Sequence, residues 1–151
     1  MLATVPQQRS ALGEETTETK VTEDRERGYY RRITETFVSG ELVSRRVEVS
    51  TRDDGEINLV LVKCFRNGKM VFGSTVDKIS NVTVRGYHHQ GKCLAMEGDE
   101  DGDGFFETLI LIGDNGIPVE GFERSKDGTV TPMSEERLSK IKKEFEVGKG
   151  D

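Results

Sequence analysis

The chain has 151 residues, of which 33% are hydrophobic and 33% are charged, and its net charge is −6 at pH 7. This length fits one domain with a single modest core. No basic stripe with interleaved aromatic residues occurs, which argues against a nucleic-acid-binding protein. No run approaches the ~20 apolar residues of a transmembrane helix, which argues against a membrane span.

The N-terminal segment differs in composition from the rest of the chain. Residues 1–27 are dominated by Thr, Glu, Gln and Arg and show no apolar periodicity. Such a segment buries too little apolar surface to offset the entropy of ordering it. We therefore expect a flexible polar tail over 1–27 and a single β-rich domain with a C-terminal helix over 28–151. The sequence does not identify the compartment. A polar tail would suit the linker after a removed signal or a lipid anchor, so our interpretation leans towards a location outside the cytoplasm, with the targeting signal absent from this chain.

From Tyr29 onward, runs rich in β-branched and aromatic residues alternate with glycine-containing turns. Asn-Gly and Asp-Gly pairs between such runs are strong hairpin signals, because both turn residues must tolerate positive φ. The sequence therefore predicts a mainly all-β domain, an antiparallel meander of seven to nine strands that forms a curled sheet, a barrel or a sandwich. The expected turn glycines are Gly40, Gly55, Gly68, Gly91, Gly104, Gly116 and Gly128.

Two of the predicted strands are almost continuously apolar. The runs INLVLVKCF and ETLILIG carry few polar residues, which is typical of central strands. We expect their leucines to be buried, namely Leu59, Leu61, Leu109 and Leu111.

The last segment of the chain has the periodicity of an amphipathic helix. Ser134 is a suitable N-cap, and Leu138, Ile141 and Phe145 fall on one face of a helix over 134–147. We expect this helix to lie against the sheet or to cover an open end of it.

The two cysteines, Cys64 and Cys93, fall in different predicted strands. Free buried thiols are the simplest interpretation, although a single bridge between neighbouring strands is also compatible with the sequence. A zinc site that joins both cysteines with His88 and His89 is disfavoured, because the spacing is not that of zinc ligands. The adjacent histidines should also point to opposite faces of their strand.

The acidic segment GDEDGDGFFE is the feature most suggestive of chemistry. Six acidic residues within 97–107 equal the whole net charge of the chain. Within this segment Asp99, Asp101 and Asp103 alternate, and Gly104 and Glu107 follow them. Ca²⁺ requires six to eight oxygen ligands, and alternate side chains converge on an ion when the backbone wraps around it. Glycine permits the sharp turn that such wrapping needs.

These residues predict a calcium site in which calcium is the bound cofactor. The expected ligands are Asp99, Asp101, Asp103, the main-chain carbonyl of Phe105, and Glu107. The alternative is a solvated acidic turn that binds no metal, because Asp and Gly are also ordinary turn residues.

The segment resembles the Asp-x-Asp-x-Asp-Gly calcium loops of FG-GAP repeats, thrombospondin type 3 repeats, dockerins and EF-hands. The resemblance covers nine to twelve residues and implies that the same five residues are ligands. It departs from the EF-hand at the twelfth loop position, where Ile110 replaces a bidentate glutamate. The flanking runs also read as strands, so the FG-GAP form matches better, although the single copy implies no propeller.

The sequence favours a non-enzymatic calcium-binding β-domain whose ion rigidifies a hairpin loop for stability or for binding a protein partner. One alternative is a small intracellular interaction or immunity-type protein that uses the acidic loop to mimic an anionic ligand. A metal-dependent hydrolase is less favoured, because the sequence shows no nucleophile–base pair and no phosphate-binding loop. No catalytic residue is therefore assigned.

Overall fold

The computed structural model describes residues 16–26, 28–52 and 54–147. This part of the chain forms ten strands and one C-terminal helix. The elements are β1 (Thr17–Glu26), β2 (Tyr29–Val38), β3 (Glu41–Ser50), β4 (Leu59–Arg66), β5 (Lys69–Asp77), β6 (Val82–His89), β7 (Lys92–Asp99), β8 (Thr108–Ile112), β9 (Pro118–Arg124), β10 (Val130–Pro132) and α1 (Glu135–Val147).

The ten strands form one antiparallel sheet whose spatial order is the order of the chain, from β1 to β10. The expected antiparallel meander is therefore confirmed, and of the three expected forms the structure adopts the single sheet. The sheet is not closed, because β1 and β10 are its two edges. The strand count is slightly above the expected seven to nine, because β1 falls within the expected tail and β10 is an additional strand of three residues.

Strand β1 corrects the expected N-terminal tail. Ten residues that we had assigned to the tail pair with β2 along their full length, from Thr17 opposite Val38 to Glu26 opposite Tyr29. The alternating threonines favour a strand, and ion pairs with β2 match its charges, such as Asp24 with Arg31 at 3.3 Å. Of the rest of the expected tail, residues 1–15 and 27 lie outside the described residues.

The turns use the glycines that the sequence indicated. Each of the seven expected turn glycines has a positive φ, between 70° and 90°. Three of them follow a non-glycine residue that also has positive φ, in the pairs Ser39–Gly40, Asn67–Gly68 and Gln90–Gly91. Two successive positive φ values are characteristic of the type I′ hairpin turn, which matches the twist of the strands.

Helix α1 packs on one face of the sheet, here called the helix-covered face, and the other face is called the open face. Ile110, Ile112 and Met133 form the buried cluster, and Leu138, Ile141 and Phe145 of the helix pack against it. The expected apolar face of the helix is therefore confirmed. The Ser134 hydroxyl accepts a hydrogen bond from the Arg137 amide at 3.3 Å, which confirms the N-cap.

The expected burial of the leucines is wrong. Leu59, Leu61, Leu109 and Leu111 are only half-buried, whereas their strand neighbours Val60 and Ile110 are each 7% exposed. In a single-layer sheet, a strand with apolar residues on both faces is covered only where a loop or helix lies over it. Helix α1 lies over Ile110 and Ile112, which places Leu109 and Leu111 on the open face.

Among the described residues, no helix has the length and apolar character needed to cross a membrane.

Candidate metal centre

The acidic segment is the loop of the β7–β8 hairpin. Asp99 is the last residue of β7 and Thr108 is the first residue of β8. At the base of the loop Gly98 pairs with Thr108, and the Thr108 hydroxyl donates to the Gly98 carbonyl at 3.4 Å. A Cβ on Gly98 would lie 2.6 Å from the Thr108 hydroxyl oxygen, so glycine is required for this close approach. The hairpin thus holds the two ends of the loop together.

The loop brings four of the predicted ligands into one group. One carboxylate oxygen from each of Asp99, Asp101, Asp103 and Glu107 lies within 4.8 Å of the others. Oxygens bound to one Ca²⁺ at about 2.3–2.6 Å lie within roughly 5 Å of one another, so this spacing is compatible with a single ion. The four residues could therefore hold a metal ion.

Asp99 anchors the loop through its side chain. It is 3% exposed, and its two carboxylate oxygens accept hydrogen bonds from the amides of Gly102 at 2.7 Å and Gly104 at 2.9 Å. The carboxylate therefore draws the loop backbone around itself. Each oxygen retains a second lone pair that can bind a cation.

Backbone amides also fix the other three carboxylates. The Asp103 amide donates to Asp101 at 3.1 Å, and the Phe105 amide donates to Asp103 at 2.8 Å. The Glu100 amide donates to the Glu107 carboxylate at 3.0 Å, across the mouth of the loop. Carboxylates held in this way lose less conformational entropy when they bind an ion. The main-chain carbonyl of Phe105 remains a predicted ligand.

The β5–β6 turn supports the loop from the side. The Asn81 side-chain amide donates a hydrogen bond to the Asp101 carbonyl. Its amide group lies so close to Gly102 that a Cβ there would overlap it, and Gly102 has a φ of +75°. Both the backbone conformation and the available space therefore require glycine at this position.

A lysine from the β9–β10 turn contacts the cluster. The Lys126 ammonium forms an ion pair with the Asp103 carboxylate. The hydrogen bond from Lys126, with one from the Phe105 amide, lowers the pKa of Asp103. The same contact raises the pKa of Lys126. Asp103 is therefore ionised and partly neutralised by a basic side chain.

Helix α1 is tied to the loop by a second basic residue. The Arg137 guanidinium forms ion pairs with Glu100 of the loop and with Glu123 of β9, the latter at 2.6 Å. One side chain therefore links the acidic loop, the sheet and the helix.

Beneath the loop, the open face carries a polar network around Glu97. Its carboxylate accepts hydrogen bonds from the Tyr87 hydroxyl at 2.7 Å and from Arg124 at 2.8 Å. Burial raises the pKa of Glu97, but these two hydrogen bonds, together with the positive charges of Arg124 and Arg85, outweigh it and leave the pKa below its ordinary value. The Arg124 amide also donates to the Glu107 carbonyl at 2.6 Å, which connects the network to the loop.

The sequence did not indicate the supporting residues Asn81, Lys126 and Arg137. They lie in other turns or in the helix, and each has an ordinary solvent-exposed context in the sequence. Their proximity to the loop follows from the meander, which places the β5–β6, β7–β8 and β9–β10 turns at the same end of the strands.

The cysteines and histidines lie apart from this loop. Cys64 and Cys93 are free thiols. Cys93 packs against the buried cluster of the helix-covered face, whereas Cys64 pairs with Phe72 on the open face. His88 is opposite Cys93 in the β6–β7 pair, and His89 is exposed and opposite Lys92. The structure therefore does not gather both cysteines and both histidines into one site.

No protein-family model and no curated protein matches this sequence. The functional interpretation therefore depends on the geometry of the acidic loop and its neighbours.

Proposed function

We propose that this protein is a non-enzymatic calcium-binding β-domain, in which Ca²⁺ bound by the β7–β8 loop rigidifies that loop for stability or for binding a protein partner. The observation that carries the proposal is the convergence of four carboxylates within 4.8 Å at the end of a hairpin. Uncompensated carboxylates at this spacing repel one another, and a divalent cation replaces that repulsion with attraction.

The nature of the ligands supports calcium over other divalent metals. All four side chains offer hard carboxylate oxygens, and the group includes no sulfur or imidazole ligand. A loop of this kind adapts to the irregular, high coordination number of Ca²⁺, with water and a main-chain carbonyl filling the remaining positions. Mg²⁺ requires a tighter octahedron and releases its water reluctantly.

Preorganisation also supports the proposal. The buried Asp99 holds two loop amides before any ion binds, so little backbone ordering remains to oppose binding. The ion would in turn stabilise the loop that Asn81 and Arg137 connect to the neighbouring turn and to helix α1. Calcium binding thus stabilises the loop together with the β5–β6 turn and helix α1.

Thermal unfolding with Ca²⁺, Mg²⁺ or a chelator tests the proposal. Binding adds RT ln(1 + [Ca²⁺]/Kd) to the free energy of unfolding, about 2.7 kcal/mol at a hundred times Kd. We expect calcium to raise the Tm, magnesium to raise it much less, and Asp101→Asn or Asp103→Asn to abolish the calcium effect.

Asp114→Asn is the matched control, because Asp114 is an exposed aspartate in the turn between β8 and β9. It should leave the calcium effect unchanged. If calcium does not shift the wild-type Tm and calorimetry detects no binding at millimolar calcium, the proposal is wrong. The acidic loop is then a solvated turn or an anionic surface for a protein partner.

A further inference from the structure

Soft metal donors surround a pair of glycines on the helix-covered face, away from the acidic loop. Gly73 of β5 pairs with Gly86 of β6, which in turn pairs with Met96 of β7. Without side chains, the two glycines leave a notch in the sheet surface. Met70 and Met96 line this notch, whose volume is about 170 Å³, and the Met70 sulfur would lie 3.9 Å from a Cβ on Gly73.

The imidazole of His88 and the thiol of Cys93 both lie near Gly86, one of the two glycines of the notch. A Cβ placed on Gly86 would lie 3.9 Å from the His88 Nδ1 and 4.0 Å from the Cys93 Sγ. It would also lie 3.2 Å from the His88 Cε1, so glycine provides the space that the imidazole ring occupies. The nitrogen and the sulfur are thus both close to the same point above the glycine.

A β-bulge places His88 and Cys93 opposite each other. The register of the β6–β7 pair shifts between Tyr87 and His88, so that Cys93, and not Leu94, lies opposite His88. A bulge reverses the alternation of side chains along the bulged strand. The thiol therefore lies on the same face as Met96, where it packs against the buried cluster, and Leu94 is 50% exposed.

The His88 Nδ1 atom is buried and has no hydrogen-bond partner among the described residues. Buried imidazole nitrogens are normally hydrogen-bonded, because an unpaired polar atom costs free energy. Within the same part of the chain, the Cys93 thiol makes only a long hydrogen bond to the Ala95 carbonyl, at 3.6 Å. A metal ion between the two atoms would give the orphaned nitrogen a partner.

We propose that His88 Nδ1 and Cys93 Sγ bind a soft monovalent metal ion, Cu(I), with the thioether of Met70 or Met96 as a further ligand. Thiolate and thioether sulfurs select Cu(I), and imidazole also suits copper. On binding, the Cys93 thiol releases its proton to solvent as the copper–sulfur bond forms, and the copper remains in the +1 state. The site shares no ligand with the proposed calcium loop and does not depend on it.

Anaerobic titration of the full chain with Cu(I), against a chromophoric Cu(I) chelator, tests the proposal. We expect one equivalent to bind. Cys93→Ser and His88→Gln should each weaken binding by at least about tenfold. Loss of a residue that only supports a metal ligand typically costs that much, so loss of a ligand should cost at least as much. Met70→Leu and Met96→Leu keep the side-chain volume and identify the thioether ligand.

The chain supplies matched controls for both donors. Cys64→Ser removes the other thiol, which lies on the open face, and His89→Gln removes the adjacent, exposed imidazole. Both variants should bind Cu(I) as tightly as the wild type. Thermal melts establish that each variant is folded, and X-ray absorption of the wild-type complex reports sulfur and nitrogen ligands even if a variant fails to fold.

Failure of the wild type to bind Cu(I) would overturn the proposal. So would an equal loss in Cys64→Ser, or an absorption spectrum with only oxygen and nitrogen ligands. None of these outcomes bears on the calcium loop, which is tested separately with Ca²⁺.

Discussion

The Lys126 ammonium and the Asp103 carboxylate form an ion pair, so a lysine of the β9–β10 turn already occupies one of the four candidate metal ligands. A cation that binds Asp103 must displace this ammonium or share the carboxylate with it. Lys126 therefore competes with the metal ion for the Asp103 carboxylate.

We predict that Lys126→Met increases the affinity for Ca²⁺. The variant removes the competing cation and its repulsion of the incoming ion, and exposed ion pairs of this kind correspond to about a two- to fivefold change in binding. Calorimetric titration measures the affinity. Lys140→Met, a change on the exposed surface of helix α1, should have no effect. Unchanged or weaker calcium binding in Lys126→Met would show that the ion pair does not compete with the metal.

The two glycines of the acidic loop should differ in their tolerance of a side chain. Gly104 has a φ of +87° with open space around it, so Gly104→Ala should cost only the left-handed backbone penalty, about 1–2 kcal/mol. Gly102→Ala adds a clash with Asn81 and disrupts the hydrogen bond to the Asp101 carbonyl. We expect it to destabilise the protein more than Gly104→Ala in urea unfolding with a chelator present.

A double mutant isolates the clash. In an Asn81→Ala background, the cost of Gly102→Ala should fall to that of Gly104→Ala, because only the backbone penalty remains. If the cost of Gly102→Ala is the same in both backgrounds, the contact with Asn81 contributes nothing to the requirement for glycine.

Glu97 should make stability depend on pH in the acid range. Its folded-state pKa lies below its ordinary value because the hydrogen bonds from Tyr87 and Arg124, together with the charges of Arg124 and Arg85, outweigh the effect of burial. A lowered pKa contributes stability above the unfolded-state value of about 4.3, and this stability is lost as the pH falls through the folded-state pKa. Glu97→Gln should thus destabilise the protein at pH 7 by roughly 1–3 kcal/mol, and the difference should shrink below about pH 4.

Urea unfolding at several pH values, with a chelator present, measures this difference. Glu120→Gln, a change at an exposed position of β9, should be nearly neutral throughout. A Glu97→Gln variant whose deficit is independent of pH would show that packing, and not the ionised carboxylate, accounts for the effect.

The meander was predictable because its signals are local. Each expected turn carries a glycine with positive φ, and the runs between them have strand composition. Strand β1 was not predicted, because its many charged residues are typical of a disordered segment. In the structure, pairing with β2 compensates for these charges. A single sequence does not reveal such pairing.

The candidate metal site also has one part that local sequence predicts and another part that depends on the fold. Its four carboxylates fall within nine residues of one loop, so the sequence alone indicated them. Asn81, Lys126 and Arg137 come from three other places in the chain, and their contacts depend on strand register and on where helix α1 docks. The notch with His88 and Cys93 depends on a bulge, which the sequence did not indicate.

Burial within β8 was predicted for the wrong residues, because the run TLILI is apolar on both faces and does not reveal which face the helix covers. Ile110 is 7% exposed and belongs to the buried cluster on which helix α1 packs, whereas the adjacent Leu109 is half-buried on the open face. We therefore predict that Ile110→Ala costs about 2–5 kcal/mol through lost apolar burial and a cavity, and that Leu109→Ala costs clearly less.

Chemical denaturation of the two variants measures this difference, and limited proteolysis measures how readily helix α1 is cleaved. Ile110→Ala removes part of the surface on which Leu138 and Ile141 pack, so it should also make helix α1 more susceptible to cleavage. Leu109→Ala leaves that surface intact and should not change cleavage of the helix. Equal destabilisation by the two substitutions would mean that a further segment or a partner covers the open face, and that the helix-covered face is not the main core.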